Sequence, residues 1–167
     1  MKLLAAALAM GLAGPVANAA DLFRGEGPDT GMTRAAHDCL KYGSAERLQQ
    51  CKYYISDDCD ATGPEAADIC FLREAASWDD AMRSKYNIAL DRMREADAFE
   101  RDRGRPARSE TLLQQSQVLF EAYRGIACEA EAEPYGPDSG EGARTYVICL
   151  IDLTAYRALQ LEIWGLI

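Results

Sequence analysis

One stretch of this 167-residue chain decides the fold: residues 65–102 read EAADICFLREAASWDDAMRSKYNIALDRMREADAFERD. Apolar residues recur in it at steps of three and four, which places them on one face of a helix. They are Ile69, Leu72, Ala76, Met82, Tyr86, Ala89, Leu90 and Met93. A capping box, Thr62-x-x-Glu65, precedes the stretch, and Pro106 follows it. The pattern predicts one long amphipathic helix over residues 65–102.

Two further helices follow in the C-terminal half. The first is predicted to begin with Ser109 as its N-cap. Its inward positions would be Leu112, Leu113, Ser116, Leu119, Phe120, Tyr123 and Ala127. The second is predicted over residues 143–164, with Tyr146, Val147, Leu150, Leu153, Thr154, Leu161 and Trp164 facing inward. Residues 134–142 hold three Gly and two Pro and form the turn between them.

No strand alternation extends over a useful length, so the fold class is all-α. The three longer helices are expected to fold back on one another as a small disulfide-linked bundle. Two short helices are predicted before them, over residues 33–42 and 44–54.

The N-terminus has the pattern of a secretory signal peptide. Lys2 precedes an apolar run over residues 3–12, and Ala17-Asn18-Ala19 is a small-residue cleavage site. The run is too short for a membrane helix, which needs about 20 residues. We expect a signal peptide over 1–19 with cleavage after Ala19, a flexible N-terminus over 20–32 and a single domain over 33–167. The mature protein would be periplasmic or secreted, with no membrane span.

The six cysteines all lie after the expected cleavage site, and their even number in an exported chain predicts three disulfides. Proximity along the chain favours Cys39–Cys51, Cys59–Cys70 and Cys128–Cys149. Spacing alone leaves the pairing among the first four cysteines open. The absence of a C-x-x-C pair, with His37 as the lone histidine, predicts neither a metal site nor a redox motif.

The charge excludes one class of partner. With 18 Lys+Arg against 27 Asp+Glu, the net charge is −9, which argues against nucleic acid. No nucleophile–base pair and no phosphate-binding glycine loop is present, so we expect no catalytic residue and no cofactor. The sequence predicts a non-enzymatic binding protein. Two alternatives stay open: a periplasmic scaffold or envelope-stress protein, and a cell-wall glycosidase that uses two carboxylates.

Two charged turns flank the second of the long helices. The first turn holds Arg101, Arg103, Arg105 and Arg108 and is interpreted as a solvated connection. The second, residues 129–142, is here called the acidic turn. Its candidate interaction residues are Glu131, Glu133, Tyr135, Asp138, Ser139 and Glu141. A turn held by Cys128–Cys149 loses less entropy on binding, so this turn is the candidate interaction loop.

An ordered set of residues resembles a known family. In the C-terminal half it comprises Gln117, Phe120, Tyr123, Arg124, Cys128, Ser139-Gly140, Cys149, Thr154, Arg157 and Leu161, and upstream it comprises Cys70, Trp78-Asp79 and Tyr86. The set resembles the family named for the lysozyme inhibitor LprI. Phe120 stands where Trp is more usual, and Gly125 where an acid commonly follows the Arg.

The resemblance implies an exported, disulfide-linked helical domain and, for some members, inhibition of lysozyme. The expected partner is therefore a cationic lysozyme or another basic envelope protein; the lysozyme type and the oligomeric state stay open. For Arg124 and Arg157 we expect a structural role, in which the guanidinium bonds a carboxylate or helix-end carbonyls and its stem packs on aromatic rings.

Overall fold

A computed structural model describes residues 28–41, 44–53, 59, 62–63, 66–136 and 139–166. Within them are five α-helices and one short 3-10 helix, and no strand. The α-helices are α1 (Thr30–Leu40), α2 (Ala45–Cys51), α3 (Ala66–Asp102), α4 (Ser109–Ala132) and α5 (Gly140–Leu166); the 3-10 helix is Glu133–Tyr135. The predicted all-α class is confirmed. The predicted signal peptide lies outside the described residues.

The three long helices form the body of the molecule. Contacts pair Asp97 with Ser109 near one end and Asp79 with Arg124 further along, so α3 and α4 run antiparallel. Cys128 is bonded to Cys149 across the second turn, so α5 runs antiparallel to α4. The core centres on fully buried side chains from four helices: Leu40, Leu48, Trp78, Met82, Ile151 and Leu161.

The first helix begins earlier than predicted. Asp29 is its N-cap, and its carboxylate accepts hydrogen bonds from the backbone N–H of Gly31 (2.7 Å) and Met32 (3.0 Å). Residues 30–32 are therefore helical and do not belong to a flexible N-terminus; residues 20–27 lie outside the described part. The second helix begins after its cap Ser44 and ends sooner than predicted, because Lys52 is extended and Tyr53 has a φ of 68°.

The predicted capping role of Ser109 is wrong. Ser109 is the first residue of α4, and its own N–H needs an acceptor. Asp97 of α3 supplies it: the carboxylate accepts from the backbone N–H of Ser109 (2.9 Å) and of Glu110 (3.1 Å). Burial alone would raise the pKa of Asp97, but these hydrogen bonds outweigh it and lower the pKa below its usual value. The capping acceptor thus comes from the antiparallel helix α3. Local sequence rules for N-caps consider only residues at the start of the helix itself, so they do not predict it.

The predicted inward face of α4 is also wrong in part. Leu112, Leu119 and Tyr123 are exposed. The buried residues of α4 are Leu113, Gln117, Arg124, Cys128 and Ala132. Two of these carry polar groups that bond to α3 and α5, so apolar periodicity alone identifies a different side of the helix. Of the predicted set, Leu113 is buried and Ser116, Phe120 and Ala127 are half-buried.

Three disulfides fasten the helices: Cys39–Cys51 joins α1 to α2, Cys59–Cys70 holds residue 59 on α3, and Cys128–Cys149 joins α4 to α5. These are the pairs that proximity along the chain favours. None of the helices in the described residues combines the length and apolar character needed to cross a bilayer.

Candidate functional site

A buried polar network lies at the centre of the three long helices. Arg124 donates from Nη1 to Asp79 Oδ1 (2.8 Å) and to Thr154 Oγ1 (2.9 Å), so one guanidinium links α4 to both α3 and α5. All three residues are buried. Asp79 also forms an ion pair with the exposed Arg83. The buried charge of Arg124 is therefore compensated inside the bundle.

A second arginine extends this network along α5. Arg157 donates from Nε to Gln117 Oε1 (3.0 Å) and from Nη2 to Ser116 Oγ (2.8 Å). Burial lowers the pKa of Arg157. Its guanidinium carbon lies 5.4 Å from the centre of the Phe120 ring and 5.1 Å from that of Trp164, and that of Arg124 lies 5.7 Å from the Phe120 ring. Both arginines thus share one aromatic partner.

Most residues of the family resemblance lie at this network or in the core beside it, whereas Ser139 and Gly140 are exposed in the acidic turn. Trp78 is fully buried and donates from Nε1 to Glu74 Oε1 (3.0 Å), Leu161 is fully buried, and Tyr86 is half-buried. Among the described residues, every buried side-chain nitrogen or oxygen has a hydrogen-bond partner. A saturated network of this kind holds helices in register and presents no group to a ligand. Tyr123 differs, since its side chain is exposed.

Another polar cluster connects α2 to α3 and α5. Tyr53 donates its backbone N–H to Glu74 Oε1 (2.8 Å) and its hydroxyl to Asp152 Oδ1 (2.7 Å), and Lys52 forms an ion pair with Asp152. Burial, together with the Asp152 carboxylate, raises the pKa of Tyr53. The sequence gives no local signal of this cluster. Its partners lie about a hundred positions apart, and no local pattern links them.

The acidic turn is held closed at several points. After α4 the chain makes the 3-10 helix Glu133–Tyr135, and Gly136 takes a φ of 83°, which a side-chain-bearing residue rarely adopts. Ser139 Oγ donates to the carbonyl oxygen of Tyr135 (2.8 Å) and accepts from the N–H of Gly142 (2.9 Å). The Cys128–Cys149 bond closes the turn beneath. Ser139, predicted as an interaction residue, therefore bridges the turn to the start of α5.

The acidic side chains of this turn point to solvent. Glu129, Glu131, Glu133 and Glu141 are exposed, and Tyr135 is half exposed. Asp138 lies outside the described residues. Within the described part of the chain, none of these four glutamates forms an ion pair, so their charges are available to a partner.

A cavity of about 620 Å³ opens beside the turn, between the first turns of α3 and α5 and the end of α4. Its apolar wall includes Phe71, Leu72 and Val147, and Glu129 and Glu133 stand at its edge. Asp68 and Arg144 also line it but neutralise each other, with Arg144 Nη2 2.9 Å from Asp68 Oδ1. Tyr146 forms part of the wall, and its pKa is raised by burial and by the charge of Glu129.

The structure brings the acidic turn together with apolar residues of α3, which no local sequence pattern predicts.

The turn that holds Arg101, Arg103, Arg105 and Arg108 lies at the other end of α4. There Arg105 Nη2 donates to Glu100 Oε1 (2.7 Å), Arg103 stacks on Phe99 with its guanidinium carbon 3.4 Å from the ring centre, and Arg108 is exposed. The α4 helix therefore has a basic end and an acidic end.

Fold and site together define a class: a disulfide-linked all-α domain whose polar core is saturated and whose open cavity carries an acidic edge. The model of the family described as lysozyme inhibitor LprI matches residues 59–161. The chain belongs to the lysozyme inhibitor LprI family. That range contains all of α3 and α4 and most of α5, and with them the central network and the cavity. No match to the chain is found among curated proteins or among solved structures.

Proposed function

We propose that this chain is an exported, non-enzymatic binding protein that inhibits a cationic lysozyme by contacting it with the acidic turn and the adjoining cavity. The observation that carries the proposal is the coincidence of these two features at one end of a domain of the LprI family. The acidic turn supplies unpaired carboxylates, and the cavity supplies apolar surface close to them.

Electrostatics would govern the approach of the two proteins. The chain carries a net charge of −9, and removal of residues 1–19 would take away Lys2 and no acid, which makes −10. A protein of that charge is steered toward a cationic partner, which speeds association at low salt. The free glutamates of the turn concentrate this charge at the cavity.

The cavity would hold an anchor from the partner. Lysine and arginine side chains pack their aliphatic stems against apolar surface while their charged heads stay in polar surroundings. Phe71, Leu72 and Val147 offer that surface, and Glu129 with Glu133 offers the counter-charge. Tyr135, half exposed on the 3-10 helix, is a rigid aromatic contact at the edge of the same site.

A comparison of association kinetics tests the site. Neutralising the turn with Glu131→Gln, Glu133→Gln, Asp138→Asn and Glu141→Gln should slow association with a cationic lysozyme and flatten its salt dependence. Tyr135→Ala should leave association nearly unchanged and speed dissociation. The matched control removes the same number of charges at the other end of α3: Asp91→Asn, Glu95→Gln, Glu100→Gln and Asp102→Asn.

The control variant distinguishes binding at the acidic turn from a general effect of net charge on association. If the turn is the site, the turn variant slows association far more than the control variant of equal net charge. Equal slowing by both variants would mean that only net charge matters and would contradict the assignment of the site. Unchanged dissociation of Tyr135→Ala would remove that residue from the interface.

A further inference from the structure

The outer side of α4 carries an apolar seam, defined here by Leu112, Leu119, Tyr123, Ile126 and Ala130. The four large side chains are 51%, 70%, 60% and 64% exposed, in chain order. Leu112, Leu119 and Ile126 are spaced by seven residues, and Tyr123 and Ala130 follow Leu119 and Ile126 by four. Alternating steps of four and three keep one stripe facing a partner helix, as in a coiled coil. Neither α3 nor α5 covers the seam.

The seam is almost free of charge in a chain that is 27% charged residues. Between Thr111 and Cys128, Glu121 is the single exposed charged residue. It lies about 200° around the helix from Leu119 and accepts a hydrogen bond from Gln117 Nε2 (3.2 Å). A protein with a net charge of −9 repels its own copies over most of its surface, so an uncharged face is where two copies can meet.

Charges flank the seam with opposite signs at its two ends. Arg108 precedes α4, is exposed and forms no ion pair within the described residues. Glu129 and Glu133, at the other end, are exposed and equally free of ion pairs in the described part. Two copies of α4 in antiparallel orientation bring the basic end of each to the acidic end of the other. A parallel pair would set like charges side by side.

We propose that a second copy of this chain binds along the seam, with the two α4 helices antiparallel about a two-fold axis. The axis passes between Leu119 and Tyr123, so that Leu119 packs on Tyr123 of the partner subunit. In the same register Ile126 meets Ser116 of the partner subunit, and Leu112 meets Ala130 of the partner subunit. Large side chains then face small ones away from the axis, and one patch serves both copies, as two-fold symmetry requires.

The size of the seam sets the expected strength of the dimer. From Leu112 to Ala130 the helix rises about 27 Å, at about 1.5 Å per residue. A single pair of helices of that length is a small interface, typical of weak and reversible association. We expect a dissociation constant in the micromolar range. The dimer shares Glu129 and Glu133 with the edge of the proposed lysozyme site, but it is measured without lysozyme, so the two proposals can fail separately.

Sedimentation equilibrium of the mature protein over a range of concentrations tests the dimer. The wild type should pass from monomer to dimer, and Leu119→Glu should weaken the dimer at least about tenfold. The matched control is Val118→Glu: Val118 is 67% exposed but lies about 100° around the helix, so this variant should dimerise like the wild type. Far-UV circular dichroism checks that each variant is folded, and Ile126→Glu provides a second variant of the seam.

Charge reversal tests the antiparallel orientation. Arg108→Glu should weaken the dimer, and adding Glu133→Arg in the same chain should restore it, because each reversed residue then faces a reversed partner. A wild type that stays monomeric at all concentrations would overturn the proposal. Equal loss of the dimer in Val118→Glu and Leu119→Glu would contradict the assignment of the seam as the dimer interface. Failure of the double reversal to restore the dimer would contradict the antiparallel orientation.

Discussion

In the central network, removing Asp79 should destabilise the protein more than removing Arg124. Asp79→Ala removes the carboxylate that compensates Arg124, whose side chain is 10% exposed. Arg124 would keep the Thr154 hydroxyl and the distant face of Phe120, neither of which carries a charge. Removing one partner of a buried ion pair typically costs about 3–5 kcal/mol. We expect a loss of that size, which is a large fraction of the about 5–15 kcal/mol that stabilises an ordinary domain.

Arg124→Met should cost less, because Asp79 keeps a counter-ion. Arg83 already pairs with Asp79, so the Asp79 carboxylate keeps a positively charged partner when Arg124 is removed. The loss should be close to that of hydrogen bonds to a charged group, about 1.5–3 kcal/mol. The double variant, which leaves no buried charge behind, should be more stable than the sum of the single losses predicts.

Denaturant unfolding of the non-reduced protein measures all three variants. The buried Trp78 lies next to Asp79 in the chain and provides the fluorescence signal. The control is Arg83→Gln, which removes only the exposed partner and should cost within about 1 kcal/mol. If Arg124→Met destabilises as much as Asp79→Ala, or if the two losses add, the account of Arg83 as the spare counter-ion is wrong.

Two further predictions concern the turns. The pKa of Asp97 is lowered in the folded protein, so its carboxylate stabilises the fold. This contribution to stability is fully present above the ordinary pKa of about 3.9 and is lost as the pH falls through the lower pKa of the folded state. Urea titrations across this range should therefore show Asp97→Ala less stable than the wild type at neutral pH and the difference disappearing at acid pH; a difference that persists there would refute the capping role. Replacing Cys128 and Cys149 by Ser opens a loop with a sequence separation of 21 and should cost about 3 kcal/mol in thermal or denaturant unfolding. An unchanged midpoint would show that helix packing alone holds the acidic turn.

The helix α3 was predictable nearly to the residue, as residues 65–102 against the observed Ala66–Asp102. Its apolar side chains repeat with helical spacing, and each one named from the pattern is buried or half-buried. The α4 face was not predictable in the same way. Its inward side holds Gln117 and Arg124, whose burial depends on partners in two other helices. Hydrophobic periodicity depends only on the positions of apolar residues, so it does not predict that a polar residue is buried by contacts with other helices.

The site was predictable only in its local part. The composition of the acidic turn and the position of the last two cysteines pointed to the end of the bundle where the cavity opens. Phe71 and Leu72 were not predicted as part of it, because only the packing of α3 against α5 brings them to the turn. The cap that Asp97 gives to α4 has the same origin, since the acceptor lies twelve residues before the donor on another helix.

Inhibition of lysozyme is the measurement that tests the central claim most directly. Titrating the protein without residues 1–19 into several lysozymes, at low and at physiological salt, reports both the inhibition and its electrostatic character. We predict that at least one cationic lysozyme is inhibited at micromolar protein, and more strongly at low salt. Full activity of every lysozyme at that concentration, under both salt conditions, would contradict it.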